Sequence, residues 1–471
     1  MSPARFEARD VDPAPLSEPL PLPFSKRIAP NRFMKAAMSE RLATWDKDDA
    51  SRSGLPTQEL MTLYRHWCQG GWGIVVTGNI LIDAAHIEVP GNMIITSESP
   101  FSGPRFEAYQ QLATLAKARI EGTENGPLFL GQLNHPGRQV PAELQSDPIS
   151  ASDVQLTKDY VGMTFAKPHA ASKDEIHALV AAFAHAAAYL ERAGFDGVHL
   201  HGAHGYLIAQ FLSLSTNRRT DEYGGASLEN RARFATEIAD AIQAATGPGF
   251  VLGIKINSVE FETEGAFSPA DAARLVELLE QHGFDLVELS GGTYEVPAWH
   301  HRKESTRRRE AFFLEFAELI APHVQKTRCF ITGGLQTVGA MVDVVQRSGL
   351  DGVGLARGSA TEPRFPRDVF FGGAKACIKP LCCGESENLG TRAILSAGQM
   401  RLISLDREPI DPSDQEAFDG FLKDCAAWVA GLKNRKKRDV YGHVLIQSVK
   451  TVPYGSVNPD LDQFVAVERS E

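Results

Sequence analysis

A closed barrel of eight parallel β-strands, each followed by a helix, is the fold class that this sequence predicts. Short β-branched runs alternate with longer stretches whose apolar residues fall at helical spacing, and the cycle repeats eight times. The short runs are apolar on both faces, so they pair in parallel, because helices of a dozen or more residues must carry the chain back between them. A doubly wound open sheet would place a glycine-rich turn after its first strand. Met38-Ser39-Glu40-Arg41 holds no glycine there, and no G-x-G-x-x-G occurs anywhere. Eight units then close most economically into a (β/α)8 barrel.

The strand candidates, in order, are Phe33–Met38, Gly73–Asn79, Pro127–Asn134, Gly197–Gly202, Phe250–Asn257, Asp285–Gly291, Arg328–Gly333 and Gly352–Arg357. Several helices carry their own punctuation. Ser172 and Glu175 form a capping box before Ile176, Leu179, Val180 and Phe183, and Gly194 closes that helix. Ser268, Pro269 and Asp271 start another, which ends at His282-Gly283, and Thr337 opens a third, closed by Gly349. Residues 1–24 are expected to form an N-terminal extension and 25–375 the barrel. Residues 376–471 form a C-terminal extension packing on the barrel or on a partner subunit, helical over Asp411–Lys433 and without clear period over Asp439–Val467.

Composition narrows the function. The 471 residues are 43% hydrophobic, enough for a large core, and no apolar run reaches the ~18 residues that would span a bilayer. Met1–Phe24 mixes prolines with charges of both signs and lacks the apolar stretch of a signal peptide, so a cytoplasmic location is expected. The net charge of −11 argues against nucleic-acid and anionic-membrane partners; the basic runs Arg302–Arg309 and Lys433–Arg438 read as solvated faces. Six scattered cysteines make no disulfide framework, and the spacing of Cys377, Cys382 and Cys383 matches neither a zinc ribbon nor an iron–sulfur run.

The chemistry concentrates where the fourth strand runs out, in His199-Leu200-His201-Gly202-Ala203-His204-Gly205-Tyr206. In a parallel barrel this turn lies on the C-terminal rim, where such barrels place their active sites. Imidazole N–H groups can hold a polarised carbonyl oxygen, and a tyrosine with an ordinary pKa near ~10 keeps its proton at neutral pH. That combination suits stabilising an enolate and protonating carbon. Strand alternation turns His199 and His201 to the same face, with His199 deeper. Late glycines gather at Ser290-Gly291-Gly292, Gly333-Gly334 and Gly352–Gly358, and with Arg357 they suit a phosphate on the loops after strands seven and eight.

Gly131-Gln132-Leu133-Asn134-His135-Pro136-Gly137-Arg138, His201-Gly202-Ala203-His204-Gly205-Tyr206-Leu207-Ile208, Phe211-Leu212-Ser213, Asn217–Gly225 and Asn31–Met38 stand in the order of the old yellow enzyme family, which the chain resembles from about Phe24 to Arg367. The resemblance implies an FMN-containing barrel, an ene-reductase that reduces activated C=C bonds of unsaturated carbonyl compounds with electrons from NADH or NADPH. It makes His201 and His204 the pair that binds the substrate oxygen and Tyr206 the proton donor. Gln132 would bond the flavin pyrimidine edge, and the backbone around Ala37, Met38, Ser39 and Asn79 would line the isoalloxazine. Lys255 would set positive charge near flavin N1 and O2, and Gly333, Gly334, Ala356 and Arg357 would hold the phosphate. No metal is expected, and a homo-oligomer is compatible with the reading.

Where many relatives carry arginine, proline, threonine or cysteine, and glycine, this chain has Lys255, Ala37, Ser39 and Ala356. Lys255 keeps a charge but loses the bidentate fork, while a Ser39 hydroxyl can still donate toward flavin O4. His300-His301 and Arg307-Arg308-Arg309 lie in the loop after strand six, a candidate to cover the site or to bind the nicotinamide phosphate. That loop, Tyr294–Glu310, together with the C-terminal region, is expected to decide the substrate and the preference between NADH and NADPH. The competing reading is a metal-dependent hydrolase with His199, His201 and His204 as zinc ligands. It draws its H-x-H pair from the fourth strand rather than the first and leaves Gln132 and Tyr206 unexplained.

Overall fold

The structure, a computed structural model, describes residues 3–118, 126–159, 162–258, 267–295, 314–383, 389–432 and 441–457. Eight strands form the barrel: β1 (Phe33–Lys35), β2 (Ile74–Leu81), β3 (Leu128–Asn134), β4 (Gly197–Gly202), β5 (Val251–Asn257), β6 (Leu286–Ser290), β7 (Arg328–Thr332) and β8 (Gly352–Leu355). Each lies within or over its sequence candidate. All neighbours pair in parallel, and β1 bonds to both β2 and β8, which closes the ring. The (β/α)8 expectation therefore stands.

The helix signals hold as well. Ser172 and Glu175 make a reciprocal capping box for Lys173–Ala193, and Gly194 takes the left-handed conformation that ends it, with φ 100°. Ser268 and Asp271 do the same for Pro269–Gln281, and Thr337 caps Val338–Arg347. Ser227 caps Leu228–Ala245, while Arg219 pairs with Asp221 and Lys173 with Glu222 to hold the preceding loop. The cysteines among the described residues are all free thiols.

Inward-facing residues change character along the barrel axis. At the N-terminal end they are apolar: Met34, Ile74, Val76, Leu128, Leu130, Val251, Leu286 and Phe330 form one buried cluster. The same alternating phase continues upward as Gln132 and Asn134 on β3, His199 and His201 on β4, Lys255 and Asn257 on β5, and Glu288 and Ser290 on β6, all buried. Glycines leave room for bulky neighbours, since a Cβ at Gly352 would stand 2.2 Å from the Phe330 ring. A packed apolar floor thus sits under a polar upper layer.

The floor is sealed by a hairpin that pairs Leu20–Pro21 with Ile28–Ala29 and inserts Leu20 and Leu22 among the bottom side chains. It is two residues per strand, too short to show as a period in the sequence. At the other end of the chain, helices Leu389–Ser404 and Gln415–Leu432 share a second apolar cluster of Leu395, Leu402, Phe418, Phe421, Val444 and Ile446. Arg364 pairs with both oxygens of Glu408, and Tyr454 stacks on His66 at 3.6 Å, tying residues 389–432 and 441–457 to the barrel helices. Leu22→Ala should cost roughly 2–5 kcal/mol, because the hairpin cannot collapse onto the rigid strand ends beneath it. Denaturant unfolding of the variant checks this, and a loss below about 1 kcal/mol would show that the plug is dispensable.

Candidate active site

The upper layer becomes a site because β2 carries a bulge. Its pairing with β3 shifts between Val76 and Asn79, so Asn79 stands opposite Gln132 with its side chain turned inward. Strict alternation from Ile74 and Val76 would have sent Asn79 outward. Gly78 fills the bulge, where a Cβ would stand 2.1 Å from Glu40 Oε2 and 2.3 Å from the Met38 carbonyl. Glu40 in turn accepts from Gly78 N at 2.8 Å, locking the loop after β1 against β2.

One hydrogen-bonded chain then runs across the rim. Gln132 Nε2 donates to Asn79 Oδ1 at 2.8 Å, and His201 Nδ1 lies 3.1 Å from the same oxygen. His201 Nε2 lies 3.0 Å from His204 Nδ1, and His204 Nε2 lies 3.0 Å from Ser290 Oγ. Tyr206 packs against the His201 ring, centroids 4.5 Å apart, and its hydroxyl lies 2.9 Å from that of Tyr294. His204 adopts a left-handed backbone, φ 58°, of the kind that costs on the order of 1–3 kcal/mol in a non-glycine residue. Asn257 Oδ1 holds it by accepting His204 N–H at 3.1 Å.

The charges are arranged below this chain. Lys255 Nζ is 3.0 Å from Glu288 Oε1, and His199 Nε2 is 3.5 Å from Glu288 Oε2, all buried. Burial alone would raise the Glu288 carboxyl, but Lys255 and His199 outweigh it and hold the group below its ordinary value. The positive charge expected of Lys255 is therefore present but paired. Burial lowers His199 to about 4 and, with Lys255 nearby, His204 to about 3. His201 is likewise held well below its usual range by burial, with His204 and Lys255 adding to the effect.

Two expectations need correction. His199 faces Glu288, not the space between His201 and His204, so the three histidines do not assemble into the zinc site of the hydrolase reading. The Ser39 hydroxyl lies 3.0 and 2.9 Å from the two oxygens of Glu88, an acceptor, so its single proton is spent there and not directed to flavin O4. Glu88, Glu288, Asn257, Ser290 and Tyr294 were not anticipated as site residues. Alternation from Lys255 reaches Asn257, and from Ser290 it reaches Glu288; Glu88 sits in a loop with no such signal. Of the loop Tyr294–Glu310, only Tyr294 and Glu295 fall within the described residues, and His300-His301, Arg302–Arg309 and Lys433–Arg438 lie outside them.

The donor set fits a flavin mononucleotide. With its amide nitrogen given to Asn79, Gln132 keeps a buried carbonyl oxygen without a partner, which matches the ring N–H of a flavin pyrimidine. Gly333 and Gly334, at φ 129° and 84°, follow β7, and Ala356 and Arg357 follow its neighbour β8. Backbone in that conformation can turn N–H groups toward an anion.

Asp83, His86 and His135 also converge, with ligand atoms within 4.8 Å. His86 Nε2 accepts Ile149 N–H and His135 Nδ1 accepts Gly137 N–H, so the ring protons sit on the nitrogens facing Asp83. A metal would need lone pairs there, and the cluster reads instead as an Asp83 carboxylate that accepts from His86 Nδ1 at 2.7 Å, with His135 Nε2 3.8 Å away.

The chain matches the model of the NADH:flavin oxidoreductase / NADH oxidase family over residues 18–372. It belongs to that family. The NADH-dependent flavin oxidoreductase nadA of Aspergillus parasiticus is 44% identical over 421 residues, 89% of this chain and 92% of the relative. The NADH-dependent flavin oxidoreductase iccE of Talaromyces variabilis is 33% identical over 363 residues, 73% of this chain and 83% of that one. In fold, the chain resembles morphinone reductase in complex with tetrahydroNAD, with a TM-score of 0.61 and 24% identity over 78% of this chain and 93% of the other. The protein is thus a flavin-dependent oxidoreductase of the old yellow enzyme type, with FMN as its cofactor. No described helix is long and apolar enough to cross a membrane.

The buried imidazoles predict acid sensitivity. His66, His135, His199, His204 and His443 are all pushed down to about 3 or 4 by burial, first among other causes. Each stays neutral in the fold while its unfolded counterpart gains a proton below pH ~6.5, so the unfolded state binds more protons in that window. Stability should be full above pH ~6.5 and fall as pH drops toward 4, by up to about 1.4 kcal/mol per pH unit for each group. Calorimetric melting between pH 4 and 8 checks this; a flat melting temperature below pH 6.5 would contradict the buried neutral assignment.

Proposed function

We propose that this oxidoreductase is an ene-reductase, reducing the activated C=C bond of an α,β-unsaturated carbonyl or related small molecule with NADH or NADPH as electron donor. The observation that carries the reading is the convergence of His201, His204 and Tyr206 on one rim, beside the free carbonyl oxygen of Gln132. The NADH dependence of the nadA relative supports a nicotinamide donor.

In this reading Gln132 accepts the flavin ring N–H, Gly333, Gly334 and Arg357 hold the phosphate, and Ala37, Met38, Ser39, Asn79 and Ala356 line the cofactor. When bound, FMN supplies the relay of hydride from the nicotinamide to the substrate carbon. Lys255 offsets negative charge near the ring's pyrimidine edge, moderated by Glu288. The hydrogen between the two rings, carried by His204 Nδ1 and aimed at His201 Nε2, is the one that can be shared with the substrate carbonyl and stabilise the oxygen as charge builds on it. Tyr206 gives its hydroxyl proton to the α-carbon, and Tyr294, 2.9 Å away, can return one. Ser290 and Asn257 position His204 throughout.

A panel of enones, enals, nitroalkenes and quinones against reoxidation of the reduced holoenzyme tests the reading; reoxidation by quinones or oxygen alone would overturn it. Tyr206→Phe should leave FMN content and reduction by NAD(P)H nearly intact while slowing reoxidation by a simple enone about 100- to 10,000-fold, the usual worth of a general acid. Stopped-flow measurement of both half-reactions checks this, and equal slowing of both would remove Tyr206 as proton donor. Lys255→Met should lower the flavin reduction potential and slow reduction by NAD(P)H, because a buried Glu288 is left uncompensated beside the ring. A dye-coupled potential titration that finds no change would place Lys255 outside the flavin's surroundings.

A further inference from the structure

We propose that Glu88 is a positioning residue that sets the direction of the whole hydrogen-bonded chain across the rim. The proposal rests on the flavin role given above to Gln132. Glu88 lies in the loop after β2, half-buried, and its Oε2 lies 2.5 Å from Asn79 Nδ2 and 2.9 Å from Ser39 Oγ; Oε1 lies 3.0 Å from the same hydroxyl. Asn92 Nδ2 stands at 3.5 Å from Oε2.

An ionised carboxylate carries lone pairs only. It therefore admits only one orientation of the Asn79 amide, with the NH2 toward Glu88 and the oxygen toward the barrel interior. Two consequences follow on the inner side. Gln132, 2.8 Å from Asn79 Oδ1, must offer its NH2 to that oxygen, which leaves its own carbonyl as the group presented to the flavin. His201 Nδ1, 3.1 Å from the same oxygen, must carry the ring proton; the longer 3.4 Å approach of Gln132 Nε2 cannot compensate a lone pair aimed at Asn79 Oδ1. His201 Nε2 is then a lone pair, His204 Nδ1 donates to it at 3.0 Å, and Ser290 Oγ donates to His204 Nε2 at 3.0 Å. Were Asn79 reversed, every donor in this series would become an acceptor. Gln132 would then offer an NH2 to a flavin N–H, a clash of two donors.

Glutamine at position 88 can face Asn79 with either end and so removes the enforcement while keeping size. In Glu88→Gln holoenzyme labelled with 15N only in histidine side chains, the His201 resonances, assigned against His201→Asn, should move from a protonated Nδ1 and bare Nε2 toward exchange between the two forms. FMN should bind about three- to tenfold more weakly, the worth of one neutral hydrogen bond. The double variant Asn79→Asp/Glu88→Gln moves the carboxylate one residue inward, again presenting an acceptor to both Gln132 and His201, and should restore the wild-type His201 pattern.

An unchanged His201 pattern in Glu88→Gln, or a His201 proton found on Nε2 in the wild-type protein, overturns the proposal. If Glu88→Gln does not fold, the double variant decides, and a proton on Nε2 there overturns it equally. Movement of the His201 signals with unaltered FMN affinity upholds the role of Glu88 and refutes instead the flavin role of Gln132.

Discussion

Parallel closure of the sheet is the constraint on which everything else in this protein depends. Because β1 bonds to both β2 and β8, all eight strands point one way and all eight C-terminal ends meet at one rim. Residues far apart in the chain, such as Gln132, His201, Lys255 and Glu288, are brought into one layer by strand register alone: Gln132 pairs with His199, Lys255 with His201, and Glu288 with Lys255. The apolar floor below is closed by the N-terminal hairpin, which keeps water from reaching the charged layer from underneath.

That layer is costly to bury and is arranged accordingly. A lone Lys255 or Glu288 at this depth would be strongly destabilising, whereas the pair with His199 alongside partly compensates its own desolvation. The upper chain from Glu88 through Asn79 to His201, His204 and Ser290 uses neutral groups apart from its first member, and neutral imidazoles are what burial favours there. The buried ion pair of Lys255 and Glu288 thus lies below, while the imidazoles at the centre stay neutral.

Residues beyond the family match contribute to the same region. His443, from the C-terminal segment, reaches back to accept a place 3.0 Å from the Ser39 carbonyl, and burial keeps its ring neutral, so it donates that bond. Tyr454 and Glu408 anchor the segment on His66 and Arg364. The loop after β1 is therefore clamped from two sides, by Glu88 on the Ser39 side chain and by His443 on its backbone.

The sequence by itself determined the barrel, because eight apolar runs with helical crossovers leave parallel closure as the economical solution, and each run falls on an observed strand. It also supplied the candidate residues: His201, His204 and Tyr206 stand out in one motif at the end of a strand, and Gln132 and Lys255 follow from the family resemblance. Tertiary structure alone decided how they are wired. The bulge at Gly78 turned Asn79 inward against the alternation of its own strand. Glu88 gains its role only by folding back onto Ser39 and Asn79, and Glu288 becomes the partner of Lys255 only through the register of β5 and β6. The hairpin plug, two residues per strand, has no period to detect. Periodicity records which face a residue occupies; the partner it meets across that face depends on the distances set by register, bulges and loop returns, and these exist only once the chain has closed on itself.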